Sequence, residues 1–206
     1  MNQYVYVNGS IGITWFALLS VISGIVGYVY IKITNKNYDI EKTIIEDTYF
    51  LLIITGLLGA RIGYVILNFD VYKGDFFNII SLDHITLNLY GAILFGVISV
   101  YVVAKRKKLR FRDLIKPYII PFYVAMAIGV WTKYLDGFLI GNKYNGPLSH
   151  YYFGANRHLV PLYLSILFVL AIVLEIVQRK KVGKNLSIVI FVLSIIIHPI
   201  IKSVFT

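Results

Sequence analysis

Six apolar runs, each near the length of a bilayer-spanning helix, follow one another through only 206 residues. A stretch of roughly 17 to 25 apolar residues crosses the hydrocarbon core as an α-helix, because a helix satisfies its own backbone N–H and C=O groups where no water can. The runs lie at about 10 to 32, 48 to 67, 85 to 104, 117 to 139, 160 to 177 and 185 to 204. The linkers are too short for a soluble domain. Residues 1–206 therefore read as a single integral membrane domain, an all-α polytopic helix bundle of about six transmembrane helices. Residues 1–9, MNQYVYVNG, carry no Lys or Arg, and no small-residue cleavage pattern follows the first run, so that run is expected to stay as a helix. There is no cysteine, which excludes disulfides, a thiolate nucleophile and thiolate-bound metal. No repeat of fixed period is visible, which weighs against a transporter built from inverted repeats.

Charge sets the orientation. The segment after the first run holds Lys32, Lys36 and Lys42. That after the third holds Lys105, Arg106, Lys107, Lys108, Arg110, Arg112 and Lys116, and that after the fifth holds Arg179, Lys180, Lys181 and Lys184. The other side holds Lys73, Lys143, Arg157 and Lys202, with Arg61 and Lys133 inside or at the edge of spans. Basic residues accumulate on cytoplasmic loops, which places both termini outside. The net charge of +10 then follows from topology and contact with anionic head groups rather than from nucleic acid, which is not an expected partner.

With that orientation, polar residues from separate helices share the outer leaflet. Arg61 lies in the outer third of the second span, Asn88 and Tyr90 at the outer end of the third, and Lys133 and Asp136 at the outer end of the fourth. Arg157 and His158 belong to the following outer loop. An arginine in hydrocarbon costs a few to above about ten kcal/mol unless it snorkels or meets water or an anion. Two placements are open for Arg61: an interfacial anchor, or a wet pocket inside the bundle. Gly56, Gly59 and Gly63 form a small-residue face that admits a neighbouring helix, and Arg61 adjoins it, which points inward. Two guanidinium groups at the outer leaflet suit the phosphate of a phospholipid head group, since each offers planar, bidentate donors charged at any relevant pH.

These residues carry a resemblance. G-A-R-I-G-Y-V at 59–65 resembles the second-helix motif of the prolipoprotein diacylglyceryl transferase family. In the same order, S-I-G-I-T-W-F at 10–16 resembles that family's lead-in to helix 1, Y-G-A at 90–92 falls where its H-G-G sits, and D-L-I-K-P at 113–117 resembles its approach to helix 4. Residues 127–141 can be laid on its G-R-x-G-N-F-x-N-G-E-x-x-G signature, and R-H-L-V-P-L-Y at 157–163 on its R-H-P-x-Q-L-Y-E. The similarity covers roughly residues 10 to 178. It implies a multi-pass protein of the bacterial plasma membrane that moves the diacylglyceryl group of phosphatidylglycerol to the cysteine of a lipoprotein signal peptide, forming a thioether and releasing glycerol phosphate. Lipoprotein signal peptides are the implied partners, and no cofactor is expected.

On this resemblance Arg61, Tyr90 and His158 are the expected catalytic residues, and Arg157, Lys133, Asp136 and Asn88 the expected substrate-binding ones. Several positions depart from the family pattern. Tyr90 replaces its histidine, Val130 its arginine, Lys133 and Asp136 its two asparagines, Phe138 its glutamate and Leu164 the glutamate of the last motif. Anchoring instead on D-L-I-K-P shifts the signature by three positions, and neither register restores arginine, asparagine and glutamate together. Lys133 could supply the charge that Val130 lacks, and His158 could serve as base. The alternatives are structural: Lys133 paired with Asp136 at the interface, His158 as an interfacial hydrogen-bonding residue, and Tyr90 in the aromatic belt. His84, His150 and His198 stand at no metal-ligand spacing, and no metal is expected. Loop 142–159 carries turn residues and three aromatics, and is either a functional cap or an ordinary interfacial loop. The expected activity is thus transferase-like, with a non-catalytic paralogue that binds phospholipid or a membrane partner as the alternative.

Overall fold

A computed structural model describes residues 4–8, 11–73, 86–181 and 186–206, and His84 lies outside them. Six helices are long and apolar enough to span a membrane. They are α1 (Trp15–Thr34), α2 (Lys42–Leu67), α4 (Leu89–Arg106), α5 (Phe111–Leu135), α6 (Val160–Lys181) and α7 (Leu186–Phe205), with α3 (Phe69–Tyr72) a single short turn. The chain is an all-α polytopic membrane protein. Large apolar side chains stand exposed along the helices, among them Ile33, Ile54, Ile66, Leu94, Leu170 and Ile196, as a hydrocarbon solvent requires.

Two small antiparallel hairpins add to the helices: β1 (Tyr4–Asn8) with β2 (Ile11–Thr14), and β3 (Ser149–Tyr152) with β4 (Ala155–His158). The first explains why α1 begins at Trp15 rather than near residue 10. Ile11-Gly12-Ile13-Thr14 is apolar and reads as part of the span, but it pairs with the preceding segment, and the Thr14 hydroxyl caps the helix by accepting from Ala17 N at 3.1 Å. The second hairpin turns at Phe153 and Gly154, both with positive φ (49° and 74°), the backbone a two-residue turn needs to match strand twist.

The described chain divides into two compact units, residues 28–118 and residues 1–27 with 119–206, the divisions falling within α1 and α5. In the first unit Ile31, Ile45, Tyr49, Val100, Leu114 and Tyr118 form the core, and the Tyr118 hydroxyl donates to Ile45 O at 3.0 Å. Helices α2 and α4 touch through backbone. A Cβ on Gly59 would lie 2.4 Å from Phe95 Cβ, one on Gly63 2.9 Å from Gly91 Cα, and one on Gly91 2.3 Å from Gly59 O. The small-residue face is therefore real, but its members are Gly59, Gly63 and Gly91; Gly56 has nothing within 4 Å of its missing side chain.

In the second unit Tyr123, Val160, Leu164 and Phe168 centre the core. Trp131 Nε1 donates to Ser165 Oγ at 2.9 Å, and that hydroxyl donates to Ala127 O at 2.7 Å, joining α5 to α6. A buried polar knot joins α6 to α7. The Glu175 carboxylate, fully buried, accepts from Gln178 Nε2 (2.6 Å), Ser187 Oγ (2.8 Å) and Arg179 Nε (2.9 Å). Its two oxygens are thereby satisfied, the condition for keeping a carboxylate in an apolar interior.

Candidate active site

Arg61 sits two residues after Gly59, where α2 and α4 are closest, and only 6% of it is exposed. Its guanidinium Nη1 donates to the Thr86 hydroxyl and approaches the Thr86 carbonyl at 3.4 Å, while its Cζ stands 5.3 Å from the centroid of the Tyr72 ring. Thr86 and Tyr72 are among the groups that hold the guanidinium in place, the first by accepting its N–H and the second by offering its ring face. Arg61 is thus placed inside its helix pair, not on a lipid-facing surface. Asn88 fixes the facing helix end. Its side chain caps α4 by accepting from Gly91 N at 2.9 Å, and its own N–H donates to Ala60 O at 2.9 Å, one residue from the arginine. Tyr90, next in the same turn, is 57% exposed and turned away from the glycine contact.

The second unit holds the other expected residues. Helix α5 stops by a tight C-terminal motif: Gly137, at φ 83°, donates to Tyr134 O at 3.0 Å and Phe138 N donates to Lys133 O at 2.9 Å. Glycine is required because the left-handed conformation crowds a Cβ. The stop leaves Lys133 exposed in the last helical turn, and among the described residues no ion pair joins it to Asp136.

Beyond the stop, Arg157 works as a staple. Its Nε donates to Tyr152 O across the hairpin at 3.1 Å, and its Nη1 donates to Gly141 O at 3.2 Å. His158 follows at the hairpin's end. Its ring stacks on Tyr144 (centroids 4.0 Å apart, 11° between planes), meets Phe205 edge-on at 4.9 Å, and places Nδ1 3.1 Å from the Tyr163 hydroxyl. A Cβ on Gly141 would fall 2.3 Å from His158 O, so this approach also needs glycine. The expected residues therefore gather in two places: Arg61 and Asn88 around the α2–α4 contact, and Arg157 with His158 at the β3–β4 hairpin.

Thr86, Tyr72, Tyr144 and Tyr163 went unrecognised in the sequence as partners of these groups. Tyr163 had a signal, since it stands in R-H-L-V-P-L-Y; the others meet their partners only through tertiary packing. Among the described residues no group of His, Asp and Glu is arranged to hold a metal. The surface depression lined by Glu41, Asp47 and Lys107 lies at the opposite end of α2 from Arg61, away from this chemistry.

The model of the prolipoprotein diacylglyceryl transferase family matches residues 3–203. Proteins named phosphatidylglycerol–prolipoprotein diacylglyceryl transferase are similar along most of the chain. That of Finegoldia magna is 28% identical over 190 residues, covering 91% of this chain and 77% of the relative. Those of Clostridium novyi and Clostridioides difficile are 27% and 26% identical, covering 90% and 93% of this chain and 76% and 78% of theirs. A match that runs from the first hairpin through almost all of α7 takes in both arginine sites as well as the helices, and the chain belongs to the prolipoprotein diacylglyceryl transferase family.

Proposed function

We propose that this chain acts as a phosphatidylglycerol–prolipoprotein diacylglyceryl transferase, one integral domain of the bacterial plasma membrane with both termini outside and its site at the outer leaflet. The observation that carries the reading is the family match over residues 3–203, which includes every residue assigned below. In the reaction the cysteine sulfur of a lipoprotein signal peptide attacks the glyceryl carbon bearing the phosphate ester. The S–C bond forms, the C–O bond to phosphate breaks, and glycerol phosphate leaves with the bonding electrons.

Arg61 stabilises the leaving phosphate. It is held before substrate arrives by Thr86 and Tyr72, so little reorganisation opposes the charge that develops. Arg157 spends two N–H donors on carbonyls, which fixes its plane and leaves three for a phosphate. Lys133 adds an exposed positive charge, Asn88 and Asp136 accept from the head-group hydroxyls, and the exposed Tyr90 phenol donates to the lipid. His158 takes the thiol proton. It does so through Nε2, in the tautomer that keeps the proton on Nδ1, the nitrogen 3.1 Å from the Tyr163 hydroxyl.

The test is a reconstituted transfer assay: protein in phosphatidylglycerol vesicles with a labelled lipobox peptide, scored for thioether product. Wild type should transfer, Arg61→Ala should lose at least about 100-fold, the scale of removing one anion-stabilising group, and His158→Gln a comparable amount. The stacking of His158 between aromatic rings and the commitment of Arg157 to main-chain carbonyls favour one second reading, a paralogue that binds phospholipid without turnover. Phosphatidylglycerol binding that weakens in Arg61→Ala, without any wild-type transfer, would select that reading and sink the first.

A further inference from the structure

A second set of cations lies wholly within the unit of residues 1–27 and 119–206, on α5 and α7. The two helices meet at Phe122 and Phe191, whose ring centroids are 5.2 Å apart. At the C-terminal end of α7 the main chain ties them again, Asn142 N, in the segment after α5, donating to the O of Phe205, the last residue of α7, at 2.8 Å. They therefore run side by side in the same direction. From Phe122 to Lys133 and from Phe191 to Lys202 the step is the same, three helical turns plus about 20°, with Pro199 inside the second step, so both lysines stand at matching positions toward the C-terminal ends of the pair. His198, one turn before Lys202 on the same face of α7, joins them. Lys202 lies within electrostatic range of Lys133, and both lie within range of His198. Both lysines are exposed, and His198 is half-buried against Phe168 of α6, ring centroids 6.0 Å apart.

The negative end of a helix dipole favours a cation in each last turn, which accounts for one lysine on each helix. It does not account for two ammonium groups and an imidazole brought together by the Phe122–Phe191 pair and the Asn142–Phe205 hydrogen bond, since like charges so placed repel. An anion between them turns that repulsion into attraction.

We propose that Lys133, Lys202 and His198 form a binding site for a phosphate ester. Lysine suits this role as a compact point charge with rotatable donors, able to follow either a phosphodiester in a lipid head group or a free phosphomonoester. The proposal adds Lys202 and His198 to the substrate-binding role given to Lys133 and rests on that reading for the identity of the lipid, while binding itself requires no turnover.

The experiment is calorimetric titration of full-length protein in non-ionic detergent with short-chain phosphatidylglycerol and, separately, glycerol phosphate. Four proteins are compared: wild type, K133Q/K202Q, K133R/K202R and the charge-matched control K36Q/K42Q. The neutral pair should bind about tenfold more weakly than wild type, while the arginine pair and the control stay within about twofold. Weakening for both ligands identifies a general phosphomonoester and diester site, and weakening for the lipid alone identifies a head-group site. Unchanged binding in the neutral pair, equal loss in the control, or loss in the arginine pair as well would each overturn the proposal. Should K133Q/K202Q fail to give folded protein, the single variants K133Q and K202Q decide, each with an expected loss of about threefold. Arg61→Ala, titrated alongside, separates this site from the reaction: a transfer assay that fails while K133Q/K202Q still weakens binding removes the transferase reading and leaves the site standing.

Discussion

Arg61 and Arg157 reach fixed positions by opposite means. Arg61 is positioned by what its neighbours lack: Gly59, Gly63 and Gly91 bring two helix backbones together, and the arginine is carried into the pair with Thr86 and Tyr72 around it. Arg157 is positioned by its own bonds to Tyr152 O and Gly141 O, which tie the hairpin to the segment that follows α5. The first site should fail when something is added to its surroundings, the second when something is taken from the arginine.

The sharpest way to break that contrast is Gly91→Ala. The new methyl group would lie 2.3 Å from Gly59 O, a backbone atom that cannot step aside, so α2 and α4 must separate. Overpacking of this kind costs about 1–3 kcal/mol or more, and transfer activity should vanish with it. Gly56→Ala, where nothing stands within 4 Å, should melt like wild type in the same detergent.

Next in size are the lysine substitutions. Arg157→Lys keeps the charge but cannot span two carbonyls in one plane. It should speed amide exchange across residues 141–158 and cut transfer about tenfold with little change in melting temperature. Arg61→Lys should lower transfer by a similar factor and leave exchange in α2 and α4 unchanged, because the glycine contact survives. Equal loosening of α2 in Arg61→Lys would show that the arginine helps to build its own site.

The smallest effect is expected at Gly154→Ala. A residue with a Cβ at φ 74° costs about 1 kcal/mol, enough to fray the hairpin tip but not to release Arg157 from Gly141 O. A modest rise in protease sensitivity at the tip, with transfer within about twofold, is the expected outcome.

Much of this organisation is legible in the sequence, for a physical reason. Hydrocarbon demands helices of a fixed length, so six spans can be counted from apolar runs alone, and the burial of Arg61 follows from its place beside Gly59 and Gly63. What the sequence conceals is pairing. Y-G-A at 90–92 is visible as a motif but not as the surface that meets Gly59 and Gly63, and without that partner surface Gly56 is indistinguishable from Gly59. Ile11–Thr14 reads as helix because strand and span share the same β-branched apolar residues. Glu175 is the one acidic residue in Val160–Lys181; Gln178 and Arg179 reach it from within α6, at three and four residues' spacing, and Ser187 comes into reach only when α6 and α7 fold back on one another.

Those partners bear on how the chain is made. A helix presenting Glu175 to lipid on its own would carry an ionisable group into hydrocarbon at a cost of several kcal/mol, and Ser187, which shields one carboxylate oxygen, belongs to the helix that is synthesised afterwards. During biogenesis α6 therefore has reason to wait at the translocon for α7 and to enter the bilayer with it as a hairpin. The hydrogen bond from Ser187 thus favours entry of α6 and α7 together over entry of α6 alone.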